Sequence, residues 1–234
     1  MSIDLGRSQK IIVGEGPSDS RFFNKFCEKN TIGGFQFANP SSIERAPGGW
    51  ENFGNFLKTL PLLPKFETLT DVVLFCDSAD NPTNRFAALK RQIESVVASG
   101  PEGQVRFRLS DPNAVAFDGK PRLHVFMVPK TDKGGGLESL CLEAAAGAFD
   151  EPKKTIMQAV DEFAEKVCKL ADGNPWTIEK TDKLRLQAFI SAVHPRKPDQ
   201  HFYRLFDAAG DQLIPLDSNA FDEIKNFLSA IAAL

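Results

Sequence analysis

Residues 11–19 read Ile11-Ile12-Val13-Gly14-Glu15-Gly16-Pro17-Ser18-Asp19, and residues 72–80 read Val72-Val73-Leu74-Phe75-Cys76-Asp77-Ser78-Ala79-Asp80. Each is a short apolar run that ends in acid. A run of this kind, bounded by turn residues, suits a strand buried on both faces. The acids then fall at the strand's carboxyl end, which is where open parallel α/β sheets bind their ligands. Two strands bringing carboxylates to one edge offer the hard oxygen donors that Mg²⁺ takes one or two at a time.

The rest of the chain extends this frame. Residues 10–13 form the first strand. Pro17-Ser18-Asp19-Ser20 starts a helix with acid in its first turn, where the helix dipole favours it. Phe22, Phe23, Phe26 and Cys27 share one face of that helix, which should end near Asn30. Residues 33–37 read as a second strand and 40–49 as a Pro/Gly-rich loop. Trp50, Phe53, Phe56, Leu57 and Leu60 repeat at helical spacing, and Pro61 and Pro64 close that helix. After the third strand, 71–76, Asn81-Pro82 opens a helix expected to carry Phe86, Leu89, Ile93 and Val97. Residues 104–109 and 113–117 alternate weakly and predict a hairpin-like excursion, followed by a turn at Gly119-Lys120-Pro121. Residues 123–128 are the fourth strand, and the helix of Leu137, Leu140, Cys141 and Leu142 follows Gly134-Gly135-Gly136.

Strands alternating with helices imply a mostly parallel sheet with helices on both faces, a three-layer α/β/α fold. Beyond Asp150 the pattern turns helical, at 153–170 with Ile156, Val160, Phe163 and Val167 on one apolar face, at 180–193 and at 219–233, with a loop-rich stretch between the last two. The expected organisation is an α/β core over residues 1–150 and a helical extension, 151–234, packed on it.

Composition narrows the function. Net charge is −3 over 234 residues, so no broad basic surface for nonspecific nucleic-acid binding is advertised. A metal-dependent nuclease with an acidic site is still compatible with that balance. No apolar run approaches the roughly 20 residues that span a bilayer, and the start lacks a signal-peptide layout, which predicts a cytoplasmic protein without membrane contact. Cys27, Cys76, Cys141 and Cys168 form no CxxC pair and read as reduced core thiols. Twenty Phe against one Tyr points to dry core packing, because Phe needs no hydrogen-bond partner; base stacking is the other use of such rings.

The carboxylates carry the chemistry. Phosphoryl transfer needs positioning and cancellation of negative charge, which bound Mg²⁺ supplies. Glu15 and Asp77, helped by Asp80 or Asp19, would be enough. Asp19 and Asp80 also read as caps of the helices that follow them. Lys130-Thr131-Asp132-Lys133-Gly134-Gly135-Gly136-Leu137-Glu138 opens a helix with three glycines. It reads either as a backbone cradle for phosphate or as a flexible turn, and it lacks the GK[ST] ending of a P-loop. Glu138 would cap that helix or join the carboxylates. His124 reads as a satisfied core histidine. His194 and His201 flank a basic loop, Pro195-Arg196-Lys197-Pro198.

The order IIVGEGPSDSRFF, VVLFCDSADNPTNRF, VFMVPKTDKGGGLESLCLE resembles the Toprim domain over roughly residues 10–146. It is most similar to an uncharacterised prokaryotic Toprim-like family and more distantly similar to overcoming-lysogenization-defect (OLD) nucleases. TDKLRLQAFISA and FDEIKNFLSAI also look like that uncharacterised family. Toprim domains serve topoisomerases, primases and nucleases through a glutamate and a DxD motif on Mg²⁺. The resemblance assigns Glu15 to the glutamate, Asp19 to the second acid of an ExxxD form, Asp77 to the first acid of DxD, and Glu138 to a G-x-LE acid. Position 79 is Ala, so the second DxD acid is missing and Asp80 is the next in line. Lys183 falls near a late lysine of OLD-like enzymes, or is a solvated helix lysine.

The resemblance implies Mg²⁺- or Mn²⁺-dependent phosphodiester hydrolysis on nucleic acid, with Glu15 and Asp77 as catalytic metal ligands. Asp19, Asp80 and Glu138 would support them, and Gly134, Gly135, Gly136 and Lys183 would bind phosphate. With Tyr203 the only tyrosine, a topoisomerase is disfavoured. The rival implication is a catalytically degenerate module that partners an ATPase of a defence or repair system.

Overall fold

The computed structural model describes residues 3–42, 47–101, 103–170, 176–193 and 213–234. Its centre is a four-stranded, all-parallel sheet in the order β2-β1-β3-β6, built from β1 (Lys10–Val13), β2 (Phe35–Ala38), β3 (Asp71–Asp77) and β6 (Arg122–Val128). β1 and β3 pair in register Lys10 to Asp71 through Val13 to Leu74. The apolar runs are continuous because both faces are covered. Val72, Leu74 and Cys76 point to one layer with α2 (Phe53–Thr59) and α3 (Pro82–Glu94). Val73 and Phe75 point to the other, with α1 (Pro17–Lys29), α4 (Leu137–Ala146), α6 (Ile178–Val193) and α7 (Asp222–Ala232). This is the period-two alternation of a strand in a three-layer fold.

The phenylalanines fill the second layer. Phe126 and Phe227 rings lie 5.1 Å apart and Phe22 and Phe221 5.5 Å apart, distances at which aromatic pairs attract beyond simple burial. The last helix is thus inside the main core. Lys10 of β1 donates to the final carbonyls of α7, Ile231 at 2.8 Å and Ala232 at 2.9 Å. A cation there offsets the negative helix end. Cys27, Cys76 and Cys141 are free, buried thiols, and Cys168 is free and half-buried.

Three expectations need correction. The third helix stops at Glu94, and Val97 begins β4 (Val97–Gly100), which pairs antiparallel with β5 (Gly103–Arg106). The excursion is therefore a hairpin placed earlier in the chain than the alternation suggested. Residues 113–117 form no strand: Asn113 has φ +61°, and its side chain accepts the Met127 N–H at 2.6 Å. Ser110 likewise accepts from Val125 N at 3.2 Å. Side chains thus occupy the open edge of β6, which blunts it as a template for strand addition.

The third correction concerns α5 (Glu151–Leu170). Phe163, expected on its apolar face, is 50% exposed, while Val160 and Ala164 are buried. The buried line runs one position further round the helix.

Candidate functional site

The helices after β1 and β3 leave the sheet on opposite faces, α1 into one layer and α3 into the other. That divergence marks the topological switch point at the carboxyl ends of the two central strands, where sheets of this kind form the crevice that binds ligands. Glu15 and Asp77 stand on either side of it. Glu15 Oε1 accepts the backbone N–H of Asp77 at 2.8 Å. The Asp77 Oδ1 in turn accepts the Leu137 N–H, at the start of α4, at 3.1 Å. Asp19 Oδ2 accepts Gly16 N–H at 2.8 Å, so it caps its own helix while facing the same crevice. A Cβ on Gly14 would lie 2.4 Å from Asp19 Cβ; only glycine lets α1 turn this closely off β1.

The acids perturb one another. Burial, followed by Asp19 and Glu179, pushes the Glu15 carboxyl up to about 7, against the Asp77 amide and Arg85. Glu138 is also pushed up to about 7, by burial and then by Asp19 and Glu179, with Lys183 opposing. Burial and the charges of Glu15, Glu138, Asp19 and Glu179 hold Asp77 well above the carboxylate range. Asp19 is raised mainly by burial. Crowded acids with raised pKa values in a crevice mark a candidate functional site.

Among the described residues, Lys183 and Arg85 bring positive charge to this cluster. Lys183, on α6, pairs with Glu179 one turn earlier. Burial works against its charge, but Glu138, the bond to Glu179, and Asp77 hold its ammonium above the usual range. Arg85, on the first turns of α3, acts on Glu15 from the opposite layer. Glu179 and Arg85 were not singled out in the sequence. Glu179 and Lys183 carry only the i,i+4 spacing of an ordinary surface pair, and nothing local to Arg85 marks it.

The three-glycine loop is engaged within the protein. Gly135 exchanges backbone hydrogen bonds with Ala79, N to O at 2.6 Å and O to N at 2.9 Å. Gly136 N–H goes to Ser139 Oγ at 3.1 Å, and that hydroxyl donates to buried Asp182 of α6. A Cβ on Gly136 would sit 2.7 Å from Asp77 Oδ2. The loop expected to cradle phosphate instead lets backbone press against Asp77. The amides of Gly135, Gly136 and Leu137 are already spent inside the fold.

Asp80, expected as a supporting ligand, is turned elsewhere. Ala79 takes φ +49°, and beyond that turn Asp80 Oδ1 accepts the Ile178 N–H of α6 at 2.8 Å. It caps a helix start. His124 lies in β6, fully buried, with Nδ1 accepting Ala116 N–H at 2.9 Å and Nε2 against Asp71 at 2.9 Å. It is a satisfied core histidine. His194, His201, Tyr203 and the basic loop 195–198 lie outside the described residues.

The donor set at the crevice is all carboxylate oxygen, suited to Mg²⁺ or Mn²⁺ rather than to soft metals. Among the described residues no three His, Cys, Asp or Glu side chains converge as a ready-made metal cage. A cation held by this donor set would keep most of its water and take one or two carboxylates. Among the described residues no helix is long and apolar enough to cross a membrane.

Residues 9–233 match the model of a family described as a protein of unknown function, DUF3226, and the chain belongs to that family. No curated protein and no solved structure matches it.

Proposed function

We propose that this DUF3226 chain is a Toprim-type, divalent-metal-dependent phosphodiesterase acting on nucleic acid, a nuclease of OLD-like kind working in the cytoplasm. One observation carries the reading: Glu15 and Asp77, from strands adjoining the switch point, are locked together through the 2.8 Å bond from Asp77 N–H to Glu15 Oε1. Glu15 and Asp77 would hold Mg²⁺ or Mn²⁺, with Asp19 and Glu138 within the same charged cluster. The ion, when bound, would supply charge cancellation on the phosphate and a water of lowered pKa. The chain's residues do the rest. The Leu137 N–H orients Asp77, Gly16 N–H orients Asp19, and Lys183 brings positive charge to the anionic side of the crevice.

The direct test is cleavage of mixed single- and double-stranded DNA and RNA in Mn²⁺ and Mg²⁺, with Glu15→Gln and Asp77→Asn as controls. Metal-dependent cleavage lost in both variants is expected. No cleavage of any of these substrates in either metal would overturn the reading.

A second reading is favoured by Ala79 in the altered DxD and by Asp80 capping α6. In it the site is degenerate, and the chain is a regulatory partner of an ATPase. Mg²⁺ then gives no thermal stabilisation of the wild type.

A further inference from the structure

Trp50 and Arg85 form a pair that the carboxylate site does not account for. The Arg85 guanidinium lies 4.4 Å from the Trp50 ring centroid, and both residues are half-buried. Two contacts fix the pair beside the crevice. Gly49, next to Trp50, donates its N–H to the Glu15 carbonyl at 2.8 Å. The Gln92 amide of α3 donates to the carbonyl of Glu51 on the other side of Trp50, binding the tryptophan turn to the helix that carries Arg85.

A guanidinium stacked on an aromatic face is positioned without spending its donors. All five N–H groups lie in its plane, away from the ring. Among the described residues none accepts a hydrogen bond from the Arg85 side chain and none pairs with it at ion-pair distance. The fold therefore holds a cation beside the acidic cluster and, among the described residues, leaves its in-plane donors unspent. Lys183, by contrast, is committed to Glu179. An unspent, preoriented arginine fork matches a phosphate's paired oxygens.

We propose that Arg85, held on Trp50, is a phosphate-binding residue that grips the non-bridging oxygens of a nucleic-acid backbone as it enters the crevice from the α3 side. The proposal rests on the phosphodiesterase reading for its choice of ligand. It differs from a charge-balancing role for Arg85 beside Glu15, which a lysine would fill equally well.

The test uses Trp50 as reporter. The chain has two tryptophans, so Trp176→Phe leaves Trp50 emission alone. The full chain is titrated with a short single-stranded DNA, the matching RNA and inorganic phosphate. Ca²⁺ replaces Mg²⁺, because its flexible coordination supports binding without the octahedral Mg²⁺ arrangement. Saturable change in Trp50 emission is expected with at least one oligonucleotide. Arg85→Gln should weaken binding roughly ten- to a hundredfold and flatten the dependence of log affinity on log salt by about 0.7, the slope of one single-strand phosphate contact. Arg85→Lys should keep the salt slope but not the affinity. An unresponsive Trp50, wild-type affinity in Arg85→Gln, full rescue by lysine, or a response to inorganic phosphate alone would each overturn the proposal. Cleavage in Mn²⁺ is measured in parallel. Arg85-dependent binding without cleavage sinks the nuclease reading and leaves the Arg85 site standing; cleavage with Arg85-independent binding does the reverse.

Discussion

Glu15 accepts a hydrogen bond not from the Asp77 side chain but from its backbone N–H, at 2.8 Å. The amide holds one carboxylate while the Asp77 carboxylate, on the same residue, turns to the start of α4. Two carboxyl groups are thus fixed at one sheet edge, each held by a backbone N–H. That arrangement is costly without a cation: burial and the Glu15 charge hold the Asp77 carboxyl up, and burial with Asp19 and Glu179 holds up Glu15.

Asp77→Asn should therefore relieve the protein when no metal is bound. An Asn Oδ1 still accepts the Leu137 N–H, so the fold loses no bond. The expected result in EDTA is a higher unfolding midpoint, by roughly 2–4 °C for each kcal/mol of relieved repulsion. In Mg²⁺ the order should reverse. The wild type should gain about 2.7 kcal/mol at a concentration a hundredfold above its dissociation constant, and the variant nothing. Equal shifts in both proteins would remove Asp77 from the metal site.

The pH dependence follows from the direction of the shifts. Glu15 and Glu138 move from 4.5 to about 7 on folding. A raised acid binds more protons in the folded state between those values, so its contribution is fully present below pH 4.5 and is lost as pH rises through about 7. Metal-free protein should lose stability across pH 4.5 to 7, and Mg²⁺ should restore stability chiefly at the upper end. Denaturant midpoints measured from pH 4.5 to 8, with and without Mg²⁺, check this. Metal-free stability that climbs through the window would contradict the raised values.

Gly136→Ala tests the backbone packed on Asp77. The new methyl would meet Asp77 Oδ2 at 2.7 Å, so the carboxylate must swing away. Ser139→Ala removes the hydroxyl that links Gly136 to Asp182 without adding bulk. Both should lower cleavage and shrink the Mg²⁺-induced thermal shift, Gly136→Ala more. A Gly136→Ala protein with wild-type metal response would show that Asp77's position is not critical.

β1, β3 and β6 were legible from their apolar runs and β2 from Phe35-Gln36-Phe37 after two glycines, and Glu15 and Asp77 because they close the first two of those runs. What was missed depends on tertiary placement. Glu179 joins the acids only because α6 packs on α4 through Asp182 and Ser139. Arg85 joins them because the Trp50 turn docks on α3. Ala79 announced a broken motif, but not that its left-handed turn would send Asp80 to cap α6. The hairpin was displaced because Val97-Ala98-Ser99-Gly100 offers too few apolar residues to register as a strand, while 113–117 alternates without pairing.

The opposite end of β3 has a different role. Asp71 is buried and takes Arg122 in two bonds, 2.8 and 2.9 Å, and His124 in a third. Despite burial, these partners hold its carboxyl down to about 2. A seven-residue strand separates it from Asp77 by roughly 20 Å. Asp71→Ala should cost about 3–5 kcal/mol, because it leaves Arg122 and His124 unpaired, yet Mg²⁺ affinity should be unchanged in protein that remains folded. The Asp71 contribution is lost as pH falls from 3.8 toward 2, a window separate from that of Glu15. A changed Mg²⁺ affinity would mean that the two ends of β3 are coupled.

The C-terminal helices should not fold apart from the sheet. α7 lays Ile224, Phe227, Leu228 and Ile231 into the same core as Phe75 and Phe126, and its last carbonyls are held by Lys10 of β1. α6 buries Leu186, Phe189 and Ile190, and ties to α4 through Asp182. A fragment of residues 150–234 would expose all of these apolar stripes, and a helix with one apolar face must bury it to be stable. The fragment is expected to show no cooperative thermal transition. Phe227→Ala in the full chain should cost about 3–5 kcal/mol, as a large buried aromatic does, and should lower the single midpoint of the whole protein. A separate, unshifted transition in that variant, or a cooperative one in the fragment, would establish the C-terminal part as an independent unit. In that case Lys183 would reach the carboxylates by docking of one unit on another, and its presence at the site would vary with conditions that loosen the interface.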